Sequence, residues 1–76
     1  MVYVDRLQRT KHNKYTAYNY YAFCHLTADS LEELLEFADK LELRGEWLQE
    51  SRSGIAHFDI TLNKRKLALK LGAIER

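Results

Sequence analysis

The sequence predicts an α+β fold: a small mixed sheet of three to four short strands with two helices packed on one face, arranged as two strand–helix halves. Three observations predict it. Tyr20-Tyr21-Ala22-Phe23-Cys24-His25-Leu26 and Ile55-Ala56-His57-Phe58-Asp59-Ile60 are rich in the aromatic and branched residues that suit a pleated, half-buried surface. A helix-start signal follows each, Thr27-Ala28-Asp29-Ser30 in the first half and Thr61 in the second. Behind each start, apolar residues recur at helical spacing.

Taken in order, Val2 to Asp5 reads as a short first strand, and 6–19 as a polar, basic, flexible loop or arm. Tyr20 to Leu26 is the central strand. Asp29 with Glu32, or Ser30 with Glu33, has the spacing of a capping box. In the first helix Leu31, Leu34, Leu35, Ala38 and Leu41 form one stripe, with Glu32, Glu33, Glu36, Asp39 and Lys40 mostly opposite, and the helix stops near Glu42 to Gly45. Glu46 to Glu50 can form a third strand and Ser51 to Gly54 a turn before the strand at Ile55 to Ile60. Thr61 then caps a second helix over Leu62 to Leu71, with Gly72 placed to end it. That helix carries two apolar stripes, Leu67-Leu71-Ile74 and Leu62-Leu69-Ala73. The second stripe fits either a dimer seam or a helix sunk deeper in its own core.

The totals bound the rest. Seventy-six residues without proline or a low-complexity linker read as one domain, 1–76. Twelve Lys and Arg against eleven Asp and Glu give a formal charge of +1, too balanced for a protein that lives on bulk duplex nucleic acid. No apolar run approaches the roughly 20 residues of a membrane span, and no leader pattern precedes the first strand. The single cysteine, Cys24, cannot form an internal disulfide, so a cytoplasmic protein is expected. A domain this small commonly gains stability by self-association, so a homo-oligomer is expected as well.

Placing His25 over His57 shows a faint repeat, with a cap residue four positions after each, Asp29 and Thr61. Strand alternation makes the pair chemically interesting. If Val2, Val4, Ala22, Cys24, Leu26, Ala56, Phe58 and Ile60 face the helices, the other face collects Tyr3, Asp5, Tyr21, Phe23, His25, His57 and Asp59. Paired histidines can act as general base and general acid near neutral pH. Lys64 and Arg65, in the first turn of the second helix, are candidates to hold a phosphate charge. His25-Leu26-Thr27 matches the His-x-Thr pattern of two-histidine phosphoesterases, whereas His57-Phe58-Asp59 departs from it. A binding role is the alternative. Aromatic rings can stack on a base, and Arg6, Arg9, Lys11 and Lys14, beside Tyr15 and Tyr18, can close over a ligand or remain a solvated loop. His25, His57 and Asp59 could hold a metal with solvent, but the chain lacks the tight ligand spacing of a structural zinc site, so no metal and no cofactor are expected. Cys24 reads as a buried, inert thiol, and Trp47, which shares a face with Gln49, as an ordinary half-buried tryptophan.

The ordered set Tyr3-Val4-Asp5, Phe23-Cys24-His25-Leu26, Ala28-Asp29, Glu32-Glu33-Leu34, Leu41 to Leu43, Trp47-Leu48-Gln49, His57-Phe58-Asp59, Arg65, Ala68 and Gly72-Ala73 resembles the bacterial and phage domain of unknown function 4031 family. Phe23 replaces that family's usual tryptophan, and Arg6 to Tyr21 looks individual to this protein. The resemblance implies that Asp5, His25, Asp29, Gln49, His57, Asp59 and Arg65 belong to the family's pattern. Its phage occurrence suggests a setting among proteins that bind or destroy the nucleotide signals of host defence. The expectation is a nucleotide- or phosphate-ligand-binding protein using Asp5, His25, Gln49, His57, Asp59, Lys64 and Arg65. The alternatives are a metal-independent phosphodiesterase with His25 and His57 as acid and base, and a protein-interaction module.

Overall fold

The computed structural model describes residues 1–11 and 20–76, and of 9–11, 20 and 21 the backbone alone. Lys14, Tyr15 and Tyr18 of the expected arm, and the side chains of Arg9, Lys11 and Tyr21, lie outside the described residues. Along the chain come β1 (Val2–Val4), β2 (Gln8–Lys11), β3 (Tyr20–Ala28), α1 (Leu31–Lys40), a 3₁₀ turn (Gly45–Trp47), β4 (Gln49–Glu50), β5 (Ala56–Thr61), α2 (Leu62–Lys70) and β6 (Ile74–Glu75). The fold is α+β, a small mixed sheet with two helices, and β3–α1 and β5–α2 are its strand–helix halves.

β3 is the centre of the sheet. Along one edge it pairs antiparallel with β1, at Val4↔Leu26, and with β2, at Gln8↔Phe23. Along the other it pairs with β5, at Cys24↔Ile60 and His25↔Asp59. β4 lies outside β5 and β6 lies parallel outside β1, so the order is β4-β5-β3-β1-β6. Two strands exceed the expectation. β2 occupies part of the segment read as a loop, because Gln-Arg-Thr-Lys has no apolar alternation and its strand character comes from main-chain pairing to β3. β6 has only two residues, too few for any periodicity.

From Val4↔Leu26 to Gln8↔Phe23 the first chain advances four residues while β3 advances three, so residues 5–7 contain a one-residue bulge. It falls directly beside the candidate site.

The core lies between the helices and one sheet face: Val4, Cys24, Leu26, Phe58 and Ile60 meet Leu34, Phe37, Ala38 and Leu41 of the first helical segment and Ala68 and Ala73 of the second. Ser30 is the cap of α1, its Oγ accepting from the Glu33 N–H at 3.2 Å; this is one half of the second capping box, while the Glu33 carboxylate accepts from the Met1 ammonium. The buried stripe is Leu34-Phe37-Ala38-Leu41, whereas Leu31 and Leu35 stay 51% and 40% exposed. Phe37 replaces them because positions i, i+3, i+4 and i+7 centred on the sheet include it. Thr61 caps α2 as expected.

Both helices end in the same motif. Leu43 N–H reaches Ala38 C=O and Glu42 N–H reaches Asp39 C=O; in α2, Ala73 N–H reaches Ala68 C=O and Gly72 N–H reaches Leu69 C=O. The left-handed residue is Gly72 in one case, at φ 109°, and Glu42 in the other, at φ 60°. Among the described residues no helix is long and apolar enough to cross a membrane.

Candidate functional site

Alternation along β3 and β5 carries His25, His57 and Asp59 to the sheet face away from the helices, because their neighbours Cys24, Leu26, Phe58 and Ile60 are buried beneath it. His25 stands opposite Asp59 in the register, and His57 opposite Gln49. The imidazoles of His25 and His57 are 5.1 Å apart between centroids and meet edge to face at 83°. The Phe23 ring meets His25 in the same manner at 5.6 Å.

Asp5 sits in the bulge and holds His25 twice. One carboxylate oxygen accepts the His25 main-chain N–H at 2.7 Å, and the other bonds Nδ1 at 2.6 Å. In a regular ladder the His25 N–H would go to the Asp5 carbonyl, matching the Asp5 N–H that does reach the His25 carbonyl at 3.3 Å. Here the side chain takes that bond and the displaced carbonyl accepts from Arg65 Nε at 3.1 Å instead. Because a carboxylate only accepts, the hydrogen of a neutral His25 ring is on Nδ1 and its Nε2 is a lone-pair donor.

His57 reaches the same state by another route. Its Nδ1 lies 3.3 Å from the Ile55 carbonyl, again an acceptor, which leaves Nε2 with the lone pair. The two Nε2 atoms then lie 3.6 and 3.7 Å from one oxygen of Asp59, while Gln49 Nε2 donates to the other at 3.3 Å. His25, His57 and Asp59 each offer one ligand atom within 4.8 Å of the others. His57 is the most enclosed of the three, its side chain 14% exposed against 35% for His25 and 37% for Asp59.

An open cavity of about 340 Å³ adjoins this cluster. Asp5, His25 and His57 line one side, and Thr27, Ser51 and Ser53 bring hydroxyl groups to the rest. Thr27 is the threonine of the His-x-Thr pattern and lies two positions after His25 on the same strand face; Ser51 and Ser53 are the two that sequence reasoning does not reach, since they carry no signal beyond that of a turn.

Two expected site residues are elsewhere. The Lys64 ammonium donates to the Leu41 carbonyl at the end of α1, on the helix layer, because α2 packs against the opposite side of the sheet from His25. Arg65 bonds the Asp5 carbonyl and, at 2.7 Å, Glu75, which also raises the guanidinium's affinity for its proton. It supports the bulge that carries Asp5 and does not meet the imidazoles. Asp29 accepts from the Tyr3 hydroxyl at 3.0 Å beside the α1 cap. Trp47 is 51% exposed under the Arg44 guanidinium, outside the cavity lining. Cys24 is fully buried, and burial pushes its thiol up to about 11, with the Asp5 charge adding to the effect. It is a core residue.

Residues 2–76 match a family model described as Protein of unknown function (DUF4031). No curated protein and no solved structure matches the chain.

Proposed function

This chain belongs to the DUF4031 family, and from the geometry of its sheet we propose that it binds a small phosphorylated ligand, a nucleotide foremost, on the face that carries His25 and His57. The observation that supports this reading is the pair of imidazoles, each fixed at Nδ1 and each turned by Nε2 toward one shared point beside a cavity. A core has no use for that arrangement on its solvent side. Hydroxyls of Thr27, Ser51 and Ser53 suit phosphate or ribose oxygens, and the Phe23 ring beside His25 suits a base.

The same centre supports a catalytic reading. Rings 5.1 Å apart can flank one phosphorus. One imidazole, neutral, takes the proton of an attacking water as its oxygen bonds phosphorus; the other, entering protonated at both nitrogens, gives its Nε2 proton to the ester oxygen as the bond from that oxygen to phosphorus breaks.

The test is incubation of pure protein with a nucleotide panel, followed by chromatography before and after heat denaturation. A compound that disappears and returns intact on heating is a bound ligand; one that returns altered is a substrate. If every compound stays free and unaltered, with wild type and His57→Ala alike, the reading fails.

Self-association is a separate proposal. Leu67, Leu71 and Ile74, one of the two stripes read from the sequence, remain 37%, 45% and 38% exposed, which supports it. Sedimentation of wild type against Leu71→Lys tests it; a wild type that is monomeric at all concentrations overturns it.

A further inference from the structure

The proposed site has a charge problem. Asp5 and Asp59 bring two carboxylates to it, and the cations meant to offset a phosphate, Lys64 and Arg65, are engaged with Leu41, Asp5 main chain and Glu75. Among the described residues those two carboxylates face a phosphorylated ligand with neither Lys64 nor Arg65 beside them, so a further positive charge would favour its binding. We propose that His25 Nε2, His57 Nε2 and Asp59 Oδ1 form a three-ligand centre for a divalent first-row metal ion of the zinc type, and that this ion receives the ligand's phosphate. The second clause rests on the reading of this face as a phosphate-ligand site; the first does not.

Four features carry the inference. The nearest partner at Nδ1 of each ring is an acceptor, Asp5 at 2.6 Å for His25 (the Gln8 amide nitrogen is more distant, at 3.5 Å) and the Ile55 carbonyl at 3.3 Å for His57, so in the neutral rings both Nε2 atoms carry the lone pair that ligates metal. Those partners are the kind that orient metal-bound histidines, a carboxylate in Asp5 and a main-chain carbonyl in Ile55. Gln49 occupies Asp59 Oδ2 and so turns Oδ1 toward the rings. The separations of 3.6 and 3.7 Å exceed a hydrogen bond, yet are close to the about 3.4 Å that separates ligands around a tetrahedral ion with bonds of about 2.1 Å. The two contacts to Asp59 need a contraction of a few tenths of an ångström, and all three ligand atoms lie within 4.8 Å of one another. Three protein ligands leave a position for water or a phosphate oxygen, as in catalytic rather than structural zinc sites. Two imidazoles disfavour Mg²⁺ and Ca²⁺, which prefer oxygen. A bound ion would also reverse the local charge, making the two carboxylates an asset to anion binding.

The experiment is titration of the full chain with Zn²⁺ by calorimetry, with Co²⁺ as a visible-absorption probe and histidine ¹H–¹⁵N correlation spectra as the atomic readout. One equivalent is expected to bind, shifting Nε2 of His25 and His57 and giving the intense absorption of low-coordinate Co²⁺. Binding is expected to vanish in His57→Ala and in the near-isosteric Asp59→Asn, and to persist in His12→Ala, which removes the remaining histidine of the chain. Asp5→Asn is expected to weaken it about 10- to 100-fold. No binding, or binding that shifts His12 and spares His25 and His57, overturns the centre; the spectra decide this on wild type even if a variant fails to fold. The nucleotide panel, repeated with Zn²⁺ and with EDTA, separates the two claims. Ligand retention that ignores EDTA overturns the ion's role and keeps the ligand reading. A metal-loaded protein that retains no nucleotide keeps the centre and overturns that reading.

Discussion

The carboxylate of Asp5 accepts both the main-chain N–H and the ring Nδ1 of His25, at 2.7 and 2.6 Å, and thereby replaces a rung of the sheet with a side-chain clamp. Asp5→Asn keeps the shape but turns one donor toward another. It is expected to lower stability by about 1–2 kcal/mol, read from the urea midpoint, and to let the His25 ring reorient. An unchanged midpoint together with an unchanged His25 ring ¹⁵N pattern would mean that the clamp does not form in solution.

Lys64 tests the division between the two sheet faces. Its ammonium serves the Leu41 carbonyl at the end of α1, where a cation also meets the favourable end of the helix dipole. Lys64→Met is expected to cost about 1 kcal/mol of stability and to leave Zn²⁺ and nucleotide binding at wild-type affinity. A tenfold loss of either affinity without loss of fold would return Lys64 to the site.

Glu42 occupies the left-handed position that Gly72 occupies in the second helix. Glycine carries no penalty there, so Glu42→Gly is expected to stabilise the domain by about 0.5–1 kcal/mol, and Gly72→Ala to destabilise it by about 1 kcal/mol. Paired urea melts check both signs.

Cys24 makes stability fall in alkali. Its folded-state value of about 11 lies above the ordinary 9.0 because burial disfavours the thiolate. Above pH 9 the unfolded chain gives up the thiol proton first and so binds fewer protons than the folded one. The thiol's contribution is therefore intact below pH 9 and lost as the pH climbs toward 11, to a total of about 2–3 kcal/mol. The check is the difference between wild type and Cys24→Ala in urea melts across that range, since the variant lacks this step. Native Cys24 should also resist thiol reagents until the chain unfolds.

What could be read from the chain follows from periodicity. A repeat of two residues separated Cys24, Leu26, Phe58 and Ile60 from Phe23, His25, His57 and Asp59, and the structure divides them the same way. Caps at Ser30 and Thr61 were legible because their hydrogen bonds are local. Lys64 and Arg65 lie away from the imidazoles for the converse reason: a helix N-terminus shows where an anion is welcome but not on which side of a sheet that terminus lies. The bulge at 5–7 had no signature, since it appears only when the numbering of two strands is compared. The three ligand atoms of the proposed metal centre come from two strands, so their approach has no counterpart in close spacing along the chain.

Val4, Leu26, Phe58 and Ile60 belong to the core, while their immediate neighbours Asp5, His25, His57 and Asp59 belong to the site. Structural and chemical instructions are thus interleaved letter by letter on the same strands. Substitution at the odd-numbered positions 23, 25, 57 and 59 can rewrite what the surface does while the even-numbered ones keep the fold. A library confined to those four positions would therefore vary the chemistry of this face while leaving every core residue of a 76-residue chain in place.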